Sequence, residues 1–124
     1  MFRPIAILVL LAAWAAPVAA EQYQPITDER DFRQLVQGRT LVLTRPGIVG
    51  PIALEVKPSG DREGEARGYD LTGFWRWEDN RFCREMDWGG YNVSYSCQTV
   101  SLNGNELRFV ADRGMFRTAY FRLN

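Results

Sequence analysis

A chain of 124 residues is about one domain's worth of polypeptide, and fifteen Lys and Arg against fifteen Asp and Glu leave it without net charge. That balance excludes the global positive field that recruits nucleic acid or an anionic membrane surface. The lack of any histidine removes the commonest general base and every triad built on imidazole.

The chain opens with Met1-Phe2-Arg3-Pro4, an apolar run from Ile5 to Ala16, then Pro17-Val18-Ala19-Ala20 ahead of the polar Glu21-Gln22. A basic start, a short greasy centre and small residues at Val18 and Ala20 are the layout of a secretory signal peptide cut before Glu21. The apolar run is about a dozen residues, against roughly 20 for a helix that crosses hydrocarbon. No cysteine lies near the cut to carry a lipid. These features predict residues 1–20 as a signal peptide and residues 21–124 as a single β domain, periplasmic or secreted, with no stable membrane insertion after cleavage. Lys57 is then the one lysine beside the arginines, which can stack on aromatic rings and grip carboxylates through two N–H groups.

The first element expected in the exported part is a helix over Thr27 to Gln37. Thr27 serves as N-cap, Asp28, Glu29 and Asp31 complement the dipole in the first turn, and Gly38 follows the end. Phe32, Leu35 and Val36 form its apolar stripe, which should plug or cover a sheet.

From Thr40 the apolar spacing changes to alternation, with turn residues every eight to twelve positions. Leu41 and Leu43 begin the series, and Pro46-Gly47 interrupts it. Ile52, Leu54 and Val56 alternate up to the turn Pro58-Ser59-Gly60-Asp61. A strand over Glu63 to Tyr69 places Gly64, Ala66 and Gly68 on one face, where another backbone or a large ring can approach closely. Leu71, Gly73, Trp75 and Trp77 share one side of the next strand, which ends at Glu78-Asp79-Asn80. Asn103-Gly104 is a hairpin signal between a strand around Thr99 to Leu102 and another over Glu106 to Asp112. Asp112-Arg113-Gly114 turns once more, and Phe116 to Leu123 closes the series. The fold class is therefore mainly β: an antiparallel meander of seven or eight strands, as a small barrel or a sandwich, with one N-terminal α-helix.

Cys83 and Cys97 are the only cysteines, and export delivers them to an oxidising compartment, so a disulfide is expected. Closing a loop of about 15 residues contributes about 3 kcal/mol in the chain-entropy model. A two-residue turn at Gly89-Gly90 puts Phe82, Arg84, Met86 and Trp88 on the same face as Val93 and Tyr91, but sends Cys83 to the other face from Cys97. A bulge between Cys83 and Met86 restores the match, because one extra residue inverts side-chain parity.

Two thiols without histidine fall short of the usual zinc set, and no glycine loop has nucleotide-binding spacing, so neither metal nor any other cofactor is expected. Glu78/Asp79 and Glu85/Asp87 are paired carboxylates that could do acid and base work only if burial split their pKa values; no catalytic residue is assigned. Contact potential concentrates in Trp75, Arg76, Trp77, Arg81, Phe82, Arg84, Trp88, Tyr91 and Tyr95. Of these, Arg76, Arg84, Tyr91 and Tyr95 are the reachable binding candidates.

The strings Gly73-Phe74-Trp75-Arg76-Trp77, Phe82-Cys83-Arg84-Glu85-Met86, Cys97-Gln98-Thr99-Val100 and Leu107-Arg108-Phe109 with Asp112-Arg113-Gly114 resemble a family of small exported proteins of Gram-negative bacteria. Its pattern is G-x-W-x-W, F-C-R-E-M, C-Q-x-V and L-R-F-x-x-D-x-G, and the likeness runs through most of the chain after residue 20. Members often carry the inherited name dihydrodipicolinate reductase, which these residues contradict. A hydride-transferring reductase of that type needs a Rossmann unit with its glycine fingerprint and a far longer chain. The resemblance implies export, the disulfide and strands, and no activity. The expected function is a non-enzymatic binding or accessory module whose partner is an envelope protein, a glycan or a small ligand. The alternative is a small-molecule carrier with a calycin-like mini-barrel.

Overall fold

The computed structural model describes residues 22–45, 52–112 and 117–124. The signal peptide and cleavage point expected from the sequence, the Pro46-Gly47 break, the Arg113-Gly114 part of the last turn and the Phe116 start of the last strand lie outside the described residues. In chain order the elements are β1 (Gln24–Ile26), α1 (Glu29–Val36), β2 (Thr40–Arg45), β3 (Ile52–Val56), β4 (Asp61–Ala66), β5 (Tyr69–Glu78), β6 (Arg81–Trp88), β7 (Tyr91–Asn103), β8 (Glu106–Ala111) and β9 (Thr118–Leu123).

From β2 to β9 each strand pairs antiparallel with the next, and β9 returns to β2, so eight strands close into an up-and-down barrel. Closure removes the sheet edges that a sandwich would leave exposed. β7 is long enough to serve twice: residues up to Gln98 pair with β6, while Gln98 to Asn103 pair with β8. Beyond the end of β6, β1 takes the vacant side of β7, with Ile26 opposite Val100. This ninth strand was not expected from the alternation.

Several boundaries move for local reasons. The helix starts one residue later than expected, because the Asp28 carboxylate caps it by accepting from the Arg30 N–H at 2.7 Å. Thr27 is outside the helix, and its carbonyl accepts from the Trp77 indole instead. The expected strand over Glu63 to Tyr69 is broken by a turn at Arg67-Gly68, where both residues have positive φ, so β4 ends at Ala66 and Tyr69 opens β5. Asn103 belongs to β7. The turn is Gly104-Asn105, with positive φ at Gly104 only.

The bulge lies where parity required it: Cys83 pairs with Cys97 and Arg84 with Ser96, then Met86 pairs with Val93, so β7 carries one extra residue. The disulfide joins Cys83 and Cys97 across adjacent strands, with Cα atoms 3.9 Å apart.

The core runs along the barrel, and its ring cluster gathers at the helix end. An eight-residue helix has no stability of its own in water, and α1 is held because Phe32, wholly enclosed, reaches into the barrel. The Phe32 ring meets Trp75 at 5.5 Å, Trp77 at 5.1 Å, Phe82 at 5.3 Å and Phe109 at 6.4 Å. Val36 is buried in the same cluster as Leu41, Leu54 and Val56. Arg33 clamps the plug from outside, with its guanidinium 4.6 Å above Trp75 and donating to the Pro58 carbonyl at 2.6 Å. Each fully buried side chain of this kind contributes about 1.5–3 kcal/mol through lost apolar surface.

Candidate binding site inside the barrel

Inward and outward residues alternate along each strand, so the register decides what faces the interior. Phe82 points inward, since its ring touches Phe32. Arg84 follows two positions later on β6, pairing with Trp75 and Ser96, and therefore lies on the same face. Arg62 on β4 is inward too: it pairs with Val56 and Gly73, and its guanidinium lies 5.2 Å above the Phe82 ring.

Two inward glycines let the wall curve tightly around these arginines. A Cβ on Gly64 would lie 2.1 Å from the Ala53 carbonyl oxygen, and one on Gly73 would lie 2.1 Å from that of Glu85. Only glycine permits such close strand approach. The close approach expected at Gly64 is thus found, with neighbouring backbone as the occupant.

The electrostatics of the interior are one-sided. Arg62 is only 6% exposed, and its Nε and Nη1 have no hydrogen-bond partner. Burial first, and the nearby Arg84 charge second, push the Arg62 guanidinium down to about 9. Arg84 is also lowered, by burial, and donates from Nη1 to the Ser94 carbonyl at 3.0 Å. The register places no Asp or Glu on the inner face among the described residues. A buried donor left unpaired costs about 1–3 kcal/mol, and more when charged, so burying Arg62 here opposes folding.

The surroundings of the arginines change along the barrel. On the helix side lie the rings packed on Phe32. Toward the opposite end the inner face carries the partly buried Leu43, Ile52, Met86 and Trp88 beside the fully buried Ala66 and Leu71, with the Trp88 indole donating to the Ala66 carbonyl at 3.0 Å. At that rim Tyr69 and Tyr91 are exposed, Tyr91 to 70%. Tyr69 meets Trp88 edge to face at 6.4 Å.

The four reachable candidates therefore separate. Arg76 and Tyr95 come together on the outer face of β5 and β7: Arg76 Nε donates to the Tyr95 hydroxyl at 3.0 Å, and that hydroxyl donates to Glu78 at 2.8 Å. Bonding to Tyr95 first, and the Glu78 charge second, hold the Arg76 proton more firmly than usual. The trio lies over the disulfide, with the Tyr95 oxygen 3.8 Å from the Cys97 sulfur. Arg84 faces inward and Tyr91 stands at the rim, so neither joins Arg76. Arg62 was missed because the expected strand began at Glu63. The signal was its parity with Gly64 and Ala66, which makes it the one charged residue on a small-residue face.

Other groups carry less chemistry. Glu78 lies close to both cysteine sulfurs, but a disulfide offers no thiolate to a metal. Glu85 accepts from the Asn92 amide and Asp87 from the Gly90 N–H, both on the outer face, and Glu78 and Asp79 are exposed at a turn. Outside β3 to β5, Glu55, Glu63, Glu65 and Asp70 border a shallow depression of about 540 Å³. There Glu63 bonds Lys57 and raises its pKa.

No family model matches the chain, and neither does any curated protein or solved structure.

Proposed function

We propose that this chain is an exported, non-enzymatic binding module that takes a small molecule into its barrel through the end opposite α1, the carrier reading. The observation that carries it is that Phe32 seals the helix end, whereas at the far end Ile52, Met86 and Trp88 stay partly exposed beneath exposed tyrosines, beside the buried Ala66 and Leu71. The disulfide supports an oxidising address outside the cytoplasm. Residues 1–20 would act as the signal peptide, and the resemblance to small exported Gram-negative proteins points the same way.

Native mass spectrometry of protein recovered from its own periplasm tests both parts. The expected species starts at residue 21, carries an intact disulfide and shows a small-molecule adduct. The neutral fluorophore N-phenyl-naphthylamine should also bind the purified protein and take up energy from Trp88, with the transfer reduced in Trp88→Phe. Absence of the adduct together with no fluorophore uptake sinks the carrier reading.

A second reading, docking of an envelope protein or glycan on the outer face, is favoured by Phe74 and Tyr95, exposed to 49% and 41%. Periplasmic pull-down that depends on Tyr95 and survives Trp88→Phe would select it.

A further inference from the structure

The carrier reading leaves open what chemistry the interior selects, and the inner face answers with a charge that nothing balances. Arg62 presents one N–H from Nε and two from Nη1 to the interior without an acceptor. Arg84 adds a second positive charge on the same face, and no described carboxylate shares that face. Trapped water could accept those hydrogen bonds, but water is neutral and leaves two like charges facing each other in a low-dielectric interior. An oxyanion satisfies the donors and the charge together. The side chains between the arginines and the rim, Met86, Trp88, Ile52 and Leu43, are apolar. Whatever extends from the anion toward solvent must match them.

Resting on the carrier reading, we infer that the ligand is a small amphiphile with a single anionic head, a carboxylate or a phosphate monoester, held by Arg62 and Arg84 while its apolar part lies along Met86 and Trp88 toward the rim.

The test compares octanoate, octyl phosphate, octanol and inorganic phosphate by calorimetric titration and thermal melting of the mature, disulfide-bonded protein. Octanoate or octyl phosphate should bind at least about tenfold tighter than octanol, a margin expected for a charge-assisted hydrogen bond, and should raise the melting temperature. Preference between the two heads identifies the source of the anion. In Arg62→Met the anionic amphiphiles should lose at least about tenfold while octanol is unchanged, and Arg76→Met on the outer face should behave as wild type.

Because Arg62→Met removes an unbalanced buried charge, the ligand-free variant should melt no lower than wild type. Should it fail to fold, Arg84→Met provides the same comparison. Equal binding of octanol and octanoate to wild type, or octanoate binding that survives Arg62→Met, overturns the anionic head while leaving the carrier reading intact. Inorganic phosphate alone binding overturns the amphiphile. Failure of all four probes together with failure of the neutral fluorophore overturns both readings.

Discussion

At the helix end of the barrel Phe32 is wholly enclosed and touches four rings, and the indoles of Trp75 and Trp77 each find a backbone carbonyl. In the middle, Arg62 is almost as enclosed and its guanidinium meets an aromatic face but no acid. The first environment returns free energy for every group it buries, whereas the second spends it. One small fold can hold both because the helix plug, the closed sheet and the disulfide supply the stability that the middle gives up. The largest test of this division truncates one side chain from each half. Phe32→Ala should cost about 3–5 kcal/mol in urea unfolding, as expected for a large ring removed from a tight site. Met86→Ala, whose side chain is only partly buried, should cost less than half as much. Equal costs would mean that the rim half is packed core, and the comparison would fail.

The disulfide belongs to the stabilising side of the comparison. Replacing Cys83 and Cys97 together by alanine should lower stability by about 3 kcal/mol through the freed loop of about 15 residues. Since the bond sits under Arg76 and Tyr95 on the outer face, the double variant should keep its affinity for interior ligands. Loss of affinity along with stability would show that the two regions are not separable.

The stabilising half was the more legible in the sequence. Alternation in β3, β5 and β8 and the stripe of Phe32, Leu35 and Val36 state which residues turn inward, because burial writes a period into sequence. Even a bulge between Cys83 and Met86 was readable, since two cysteines that must meet and a two-residue Gly89-Gly90 turn disagree by one position, although the extra residue falls in β7, across from that interval. Closure was not: the β2 to β9 pairing joins segments from opposite ends of the domain, and nothing local encodes it. β1 escaped because three residues with one half-buried side chain, Ile26, carry no period. Arg62 escaped for a related reason. A charge at a strand start resembles a turn residue until register shows that β4 begins at Asp61 and the guanidinium lies inside.

A pH series sharpens the contrast with a smaller effect. Arg62 is pushed down to about 9 in the folded chain, well below the ordinary arginine range, so below pH 9 both folded and unfolded chains hold the proton and the penalty of burying the charge is complete. Above pH 9 the folded chain releases the proton more readily, and Arg62's contribution becomes less unfavourable as pH rises further. The stability gap between wild type and Arg62→Met should therefore be constant from pH 7 to 9 and narrow above it, by at most about tenfold in the unfolding constant per pH unit. Octanoate should flatten the profile, because a bound anion keeps the guanidinium charged.

The smallest effect is expected at Arg76, which has both a hydrogen-bond partner and an acid beside it. It bonds Tyr95 and lies 3.4 Å from Glu78, yet all three side chains are exposed. Water screens the pair, and ordering three flexible side chains offsets what remains of the attraction. Arg76→Ala should therefore leave the urea midpoint within measurement scatter at ordinary salt, with a small loss emerging only at low ionic strength. Arg62, with neither acid nor hydrogen-bonded Nε, should shift the midpoint more when replaced by methionine, and upward. Partner count and energetic weight would then run in opposite directions on the two faces of one sheet, as burial requires when it magnifies an unbalanced charge and solvent mutes a balanced one. A large destabilisation by Arg76→Ala would reverse that order and make the outer trio a structural clasp for the disulfide.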